Sequence, residues 1–169
     1  MKVLISAASK HGSTAGIAEA IGESLTERGV SNDVIEPKKV TSIDGYDALV
    51  LGSGVYAGHW LSTATDFVKR FHAEFPGRLV WLFSSGPLGE PLKPDDEHAI
   101  DASNIVSSTG AIEHRIFPGK LDREDLGYGE KAIAIAVRAT EGDFRDWPAV
   151  EAWVAHIAES LRPGTSPAP

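Results

Sequence analysis

The 169-residue sequence predicts an α/β fold, a doubly wound three-layer sandwich built on a parallel sheet. Two observations carry the prediction. Ala48-Leu49-Val50-Leu51 and Leu79-Val80-Trp81-Leu82-Phe83 are continuous apolar runs without alternation, the pattern of strands covered on both faces. Such runs also alternate along the chain with segments of helical periodicity, and parallel strands joined by right-handed crossovers place helices on both faces of the sheet.

Taken in order, Val3-Leu4-Ile5 opens the first strand. A helix is expected from Thr14 to Arg28, with Ile17, Ala18, Ile21 and Leu25 on one face and Gly29 as its stop. A short second strand is expected near Asp33 to Glu36, and the two apolar runs are strands three and four. Between them Leu61, Ala64, Phe67, Val68 and Phe71 mark a helix that ends before Pro76-Gly77. Another helix is expected to open at Asp95-Asp96-Glu97, where carboxylates suit the helix dipole, and to end by Gly110. Ala111 to Phe117 is the fifth strand. Pro148 to Leu161 is the closing helix, with Val150, Trp153, Val154, Ile157 and Leu161 on its apolar face and Asp146-Trp147-Pro148 as cap and first-turn proline. Within 118–145, Glu130 to Val137 has the composition of a helix and the alternation of a strand; helix is the expectation. One domain is expected over residues 1–162, with the proline-rich residues 163–169 as a disordered tail.

Composition narrows the chemistry. With no cysteine, disulfides, thiolate nucleophiles and iron–sulfur ligation are excluded, so redox chemistry has to come from a bound cofactor. Sixteen basic against 24 acidic residues, a formal charge of −8, disfavours nucleic acid and anionic lipid and suits a basic partner; solubility accounts for the charge equally well. Apolar runs are far shorter than the roughly 20 residues that span a bilayer, and no signal-peptide pattern follows Met1-Lys2, so a cytoplasmic protein without an integral membrane segment is expected. His59, His72, His114 and His156 share no metal-ligand spacing, and no metal site is expected.

In an open α/β sheet, ligands bind beyond the carboxyl ends of the strands. Three loops lie there. Ser9-Lys10-His11-Gly12-Ser13-Thr14 leaves strand one and opens a helix, so free backbone N–H groups and hydroxyls converge where an anion fits; alternatively Ser13 or Thr14 simply caps the helix. It is neither a triphosphate P-loop, since Gly12 rather than lysine precedes Ser13, nor a dinucleotide G-x-G-x-x-G. A phospho-acceptor receiver is also excluded, because Ser6-Ala7-Ala8-Ser9 and Gly52-Ser53-Gly54 stand where acidic residues are needed. The second loop, Gly52 to Trp60, contains Gly54, Val55, Tyr56, Ala57 and Gly58. Its glycines admit a flat ligand, and Tyr56 or Trp60 offers a ring to stack on it. The third, Ser84-Ser85-Gly86-Pro87-Leu88, follows strand four. Together the three describe a pocket for a phosphorylated planar ring.

At this point the sequence resembles the flavodoxin superfamily. The superfamily's phosphate loop, T/S-x-T-x-G-x-T or T/S-x-T-G-x-T, matches residues 9–14 except that His11 replaces the middle threonine. "YDALVLGSGVYAGHW" and "EGDFRDWPAVEAWVAHIAESL" extend the likeness to a flavodoxin-domain group that includes menaquinone-dependent protoporphyrinogen oxidases. The resemblance implies a flavodoxin-like sheet of order 2-1-3-4-5 and noncovalent FMN. Ser9, Lys10, His11, Gly12, Ser13 and Thr14 are implied at the phosphate, Gly54, Val55, Tyr56, Ala57 and Gly58 at the redox-active edge of the ring, and Ser84, Ser85, Gly86, Pro87 and Leu88 on its other side. No side-chain acid or base is then obligatory.

The function so implied is an FMN-dependent oxidoreductase, with a quinone, NAD(P)H, a porphyrinogen or a redox partner protein as donor or acceptor. The composition of residues 118–145 is less basic and aromatic than in the oxidase relatives, which weighs against the porphyrinogen. Alternatives are an electron-transfer flavodoxin, a homologue without cofactor, and a serine hydrolase using Ser9 with the D-x-x-H of Asp95 to His98. In that hydrolase class the D-x-x-H stands just before the last helix, whereas here it is mid-chain.

Overall fold

The computed structural model describes residues 1–56, 58–86, 102–122, 124, 127, 131 and 141–162. Among them β1 (Lys2–Ala8), α1 (Ser13–Glu27), β2 (Ser31–Val34), β3 (Ala48–Tyr56), β4 (His59–Trp60) and α2 (Ser62–Phe71) come first. They are followed by β5 (Leu79–Ser85), α3 (Ser103–Thr109), β6 (Glu113–Phe117), β7 (Lys120–Leu121), β8 (Gly142–Asp143) and α4 (Trp147–Ser160). Five strands form the parallel sheet β2-β1-β3-β5-β6, which is the expected 2-1-3-4-5 order once β4, a short antiparallel addition to β3, is set aside.

The unbroken apolar runs are explained by two core layers. Val3, Ile5, Val50, Trp81 and Phe83 point toward α1 and α4, where they meet Ile17, Ile21, Leu25, Trp153, Val154 and Ile157. Their neighbours Leu4, Leu49, Leu51, Val80 and Leu82 point the other way, toward Phe67, Phe71 and Ile105 of α2 and α3. Side chains on both faces of the central strands are therefore buried over the apolar runs, and each fully buried Leu, Ile or Val contributes about 1.5–3 kcal/mol. The sheet is tight at Gly52, where a Cβ would stand 2.2 Å from the Phe83 ring opposite it.

Boundaries moved where pairing decided them. β2 begins at Ser31 because Lys2 to Ile5 pair with Ser31 to Val34. Helix α1 begins at Ser13, and its cap position is Gly12, at φ +79° with no side-chain cap bond. Ser13 and Thr14 thus lie inside the helix, which overturns the capping alternative. At α4 the expected cap is present: the Ala149 N–H donates to Asp146 Oδ1 at 2.9 Å, with Pro148 in the first turn. The expected acidic helix start at Asp95 to Glu97 and the tail 163–169 lie outside the described residues, as does the segment Glu130 to Val137 apart from Lys131. Two pairings were not expected: the hairpin of β3 with β4, and the antiparallel ribbon of β7 with β8. Among the described residues no helix is long and apolar enough to cross a membrane.

Candidate functional site at the carboxyl edge of the sheet

The first loop turns from β1 into α1 through Gly12, whose left-handed backbone leaves open space where a side chain would stand. Ser9 Oγ is buried and has no hydrogen-bond partner. Thr14 is 3% exposed and makes no side-chain hydrogen bond among the described residues; its Oγ1 faces β3, 3.2 Å from where a Cβ on Gly54 would be. Ser13 faces elsewhere: the Lys120 N–H of β7 donates to its Oγ at 2.8 Å, tying the loop to the β7–β8 ribbon. The loop's two basic residues reach across to the second loop. Lys10 Nζ lies 5.4 Å from the centre of the Tyr56 ring, and the His11 ring lies 6.4 Å from it.

Tyr56 ends β3 and is 38% exposed, so its ring is presented at the surface beside the first loop. Gly54 is buried, Val55 is half-buried, and Gly58 makes the left-handed turn into β4. Ala57 lies outside the described residues, as do Pro87 and Leu88. In the third loop the Gly86 N–H donates to Phe117 O at 2.9 Å, and a Cβ on Gly86 would be 4.0 Å from Val55 Cβ. The fold therefore brings the three loops to one edge, with Thr14 against Gly54, Lys10 and His11 against Tyr56, and Gly86 against Val55. The neighbouring Ser85 is 6% exposed.

Two aromatic and hydroxyl expectations change. Trp60 does not offer a stacking face: it is 6% exposed, packed against α2, and its Nε1–H donates to Ser84 Oγ at 2.8 Å. Ser84 is fully buried, and its Oγ also lies 2.8 Å from His114 Nε2. Strand alternation turns the Ser84 side chain into the layer beneath α2, away from the loop edge, so any ligand contact from Ser84 is left to its backbone.

Beside the first loop stands a group that sequence reading did not single out. Arg145 forms a two-point ion pair with Asp143, Nε to Oδ1 at 2.8 Å and Nη2 to Oδ2 at 2.5 Å. Its guanidinium lies 4.6 Å from the centre of the Trp147 ring. Asp143 is held below the usual carboxylate range, chiefly by the hydrogen bond from Arg145, and the Arg145 value is raised by the same bond. Their i, i+2 spacing was the available signal, but it locates no partner without the ribbon.

Comparison with known proteins agrees with this geometry. A family model described as flavodoxin domain matches residues 4–146. Among solved structures, Flavodoxin 1 from Bacillus cereus superposes with a TM-score of 0.65 at 18% identity, covering 96% of this chain and 100% of that one. A Fusobacterium nucleatum flavodoxin mutant bound to flavin mononucleotide gives 0.52 at 17% identity, covering 68% of this chain and 66% of that one. Rubredoxin oxygen:oxidoreductase from Desulfovibrio gigas gives 0.64 at 15%, covering 95% of this chain. The present chain spans only 36% of that protein's length. Matched by the family model over most of its length and carrying the fold that the neighbours share, the chain belongs to the flavodoxin-domain family.

Proposed function

We propose that this protein is an FMN-binding oxidoreductase that holds its flavin noncovalently and uses it for electron or hydride transfer. The observation that carries the reading is the Ser9 hydroxyl in the first loop, buried without a hydrogen-bond partner. A buried hydroxyl left unsatisfied costs about 1–3 kcal/mol, so one in the loop that opens α1 calls for an acceptor, and a phosphate monoester supplies several oxygens. The residues present fit FMN.

Ser9, Lys10, His11, Gly12, Ser13 and Thr14 would hold the phosphate, with Gly12 leaving room for close approach. Gly54 to Gly58 would line one side of the ring, and Ser85 to Leu88 the other. FMN, when bound, supplies the electron chemistry. The chain's own part is to orient the ring, to offer backbone hydrogen bonds and to set the polarity around it. Tyr56, at 38% exposure, leaves this edge reachable by a second molecule. That molecule is a quinone, NAD(P)H or a porphyrinogen in the enzyme reading. The second reading, relay between proteins, is favoured by the match end to end with a flavodoxin and by the charge of −8, which suits a basic partner.

The test begins with the purified protein. Yellow colour, released by acid as FMN, is the expected result. A colourless preparation that fails to quench added FMN fluorescence refutes the proposal. Steady-state turnover of the loaded protein with quinones, NAD(P)H and protoporphyrinogen then separates enzyme from carrier, because a carrier turns over none of them alone.

A further inference from the structure

The first turn of α1 lacks the acidic residue that usually accompanies a helix start. A helix start bears a positive partial charge, and acidic residues normally offset it. This first turn has none. Instead a cation is packed on its flank, because Arg145 Nη1 lies 2.6 Å from where a Cβ on Gly16 would stand. The approach exists only because residue 16 is glycine.

The guanidinium does not wander there. Asp143 takes Nε and Nη2, the Trp147 ring backs its plane, and its side chain is 17% exposed. Among the described residues Nη1, the nitrogen facing α1, has no hydrogen-bond partner. The ribbon that delivers Arg145 grips the same turn a second time through the Lys120 N–H and Ser13 Oγ. With Asp143 on its Nε and Nη2 side, the guanidinium turns its Nη1 side toward α1, and an anion in the loop would offset the positive charge that this side presents.

Resting on the FMN reading above, we propose that Arg145 is a positioning and specificity residue that makes this site select a phosphorylated flavin over riboflavin. It acts through the first turn of α1, by adding positive potential at the loop and by fixing that turn from the ribbon side. None of its partners among the described residues belongs to the ring loops, which riboflavin would use equally.

The experiment is fluorescence titration of the full-length apoprotein with FMN and, separately, with riboflavin, alongside thermal melts without ligand. Arg145→Gln is expected to raise the FMN Kd by about tenfold, the scale of a partly buried charge at a helix end, while leaving the riboflavin Kd unchanged. Arg145→Lys restores part of the FMN affinity, since charge is kept and the two-point fork is lost. Gly16→Ala keeps every charge and displaces the guanidinium, so it also weakens FMN selectively, and it decides the matter if Arg145→Gln does not fold. Equal loss of both ligands, or no loss of either, in these variants overturns the proposal. Wild-type protein that binds riboflavin as tightly as FMN overturns it too while leaving flavin binding intact, whereas wild-type protein that binds neither flavin overturns the FMN reading itself.

Discussion

Replacing Ser9 by alanine separates ligand binding from folding, because the two effects have opposite signs. Ser9 Oγ is buried and makes no hydrogen bond in the structure, so the folded apoprotein carries the desolvation cost of a hydroxyl with nothing in return. Removing it is expected to stabilise the apoprotein by about 1 kcal/mol, the lower end of the range for an unsatisfied buried group. For a chain of this length that is a rise in Tm of about 2–4 °C. On the proposed FMN reading the same hydroxyl would donate to a charged phosphate oxygen, an interaction worth about 1.5–3 kcal/mol. Affinity for FMN therefore falls by roughly ten- to a hundredfold. Differential scanning fluorimetry of the apoprotein and fluorescence quenching of FMN measure the two quantities independently. A variant that loses stability without flavin and keeps its FMN affinity refutes the reasoning, since Ser9 would then be a packing residue and not a ligand. The pair Ser9→Ala with Thr14→Ala deepens the loss of affinity, and riboflavin, which lacks the phosphate, is expected to be insensitive to both.

Further outcomes follow from the framework around the site. Gly52→Ala sets a methyl against the Phe83 ring at 2.2 Å in the middle of the sheet, and urea denaturation is expected to show a loss of about 1–3 kcal/mol. Trp60→Phe removes the donor to Ser84 Oγ while keeping the aromatic body in the core, costing about 1 kcal/mol of stability and leaving the FMN Kd unchanged; a large change in flavin affinity contradicts the burial of Trp60. At the opposite end of the sheet, hydrogen bonds from Lys2 first and Tyr46 second lower the pKa of Asp33. Its stabilising contribution is thus fully present above the ordinary carboxylate pKa of about 3.9 and is lost as pH falls through the lower folded value. Acid titration followed by circular dichroism is expected to show Asp33→Asn flattening that part of the profile.

The layered architecture was legible because each central strand feeds two cores: Leu49 and Leu51 turn to α2 while Val50 turns to α1, which forces unbroken apolar runs. The helix faces and the Asp146 cap were legible for the same kind of local reason, periodicity and a side chain that reaches its own backbone. Loops were harder. Nothing local distinguishes a tryptophan that stacks on a ligand from one that closes a core, and Trp60 went inward because two residues of β4 fold back onto β3 and carry its indole to Ser84.

By itself, then, the sequence determined the alternation of strands and helices, the hydroxyl-rich loop from Ser9 to Thr14, and that any redox chemistry in a chain without cysteine has to be borrowed from a bound group. Only the tertiary structure decided which of those groups meet. It set Thr14 against Gly54 and Lys10 against Tyr56, sent Ser84 into the core, and laid Arg145 on Gly16, 129 positions earlier in the chain. The physical reason is that propensity and periodicity act over a few residues, whereas a site is made by the order in which strands pair and by the room left where backbones cross.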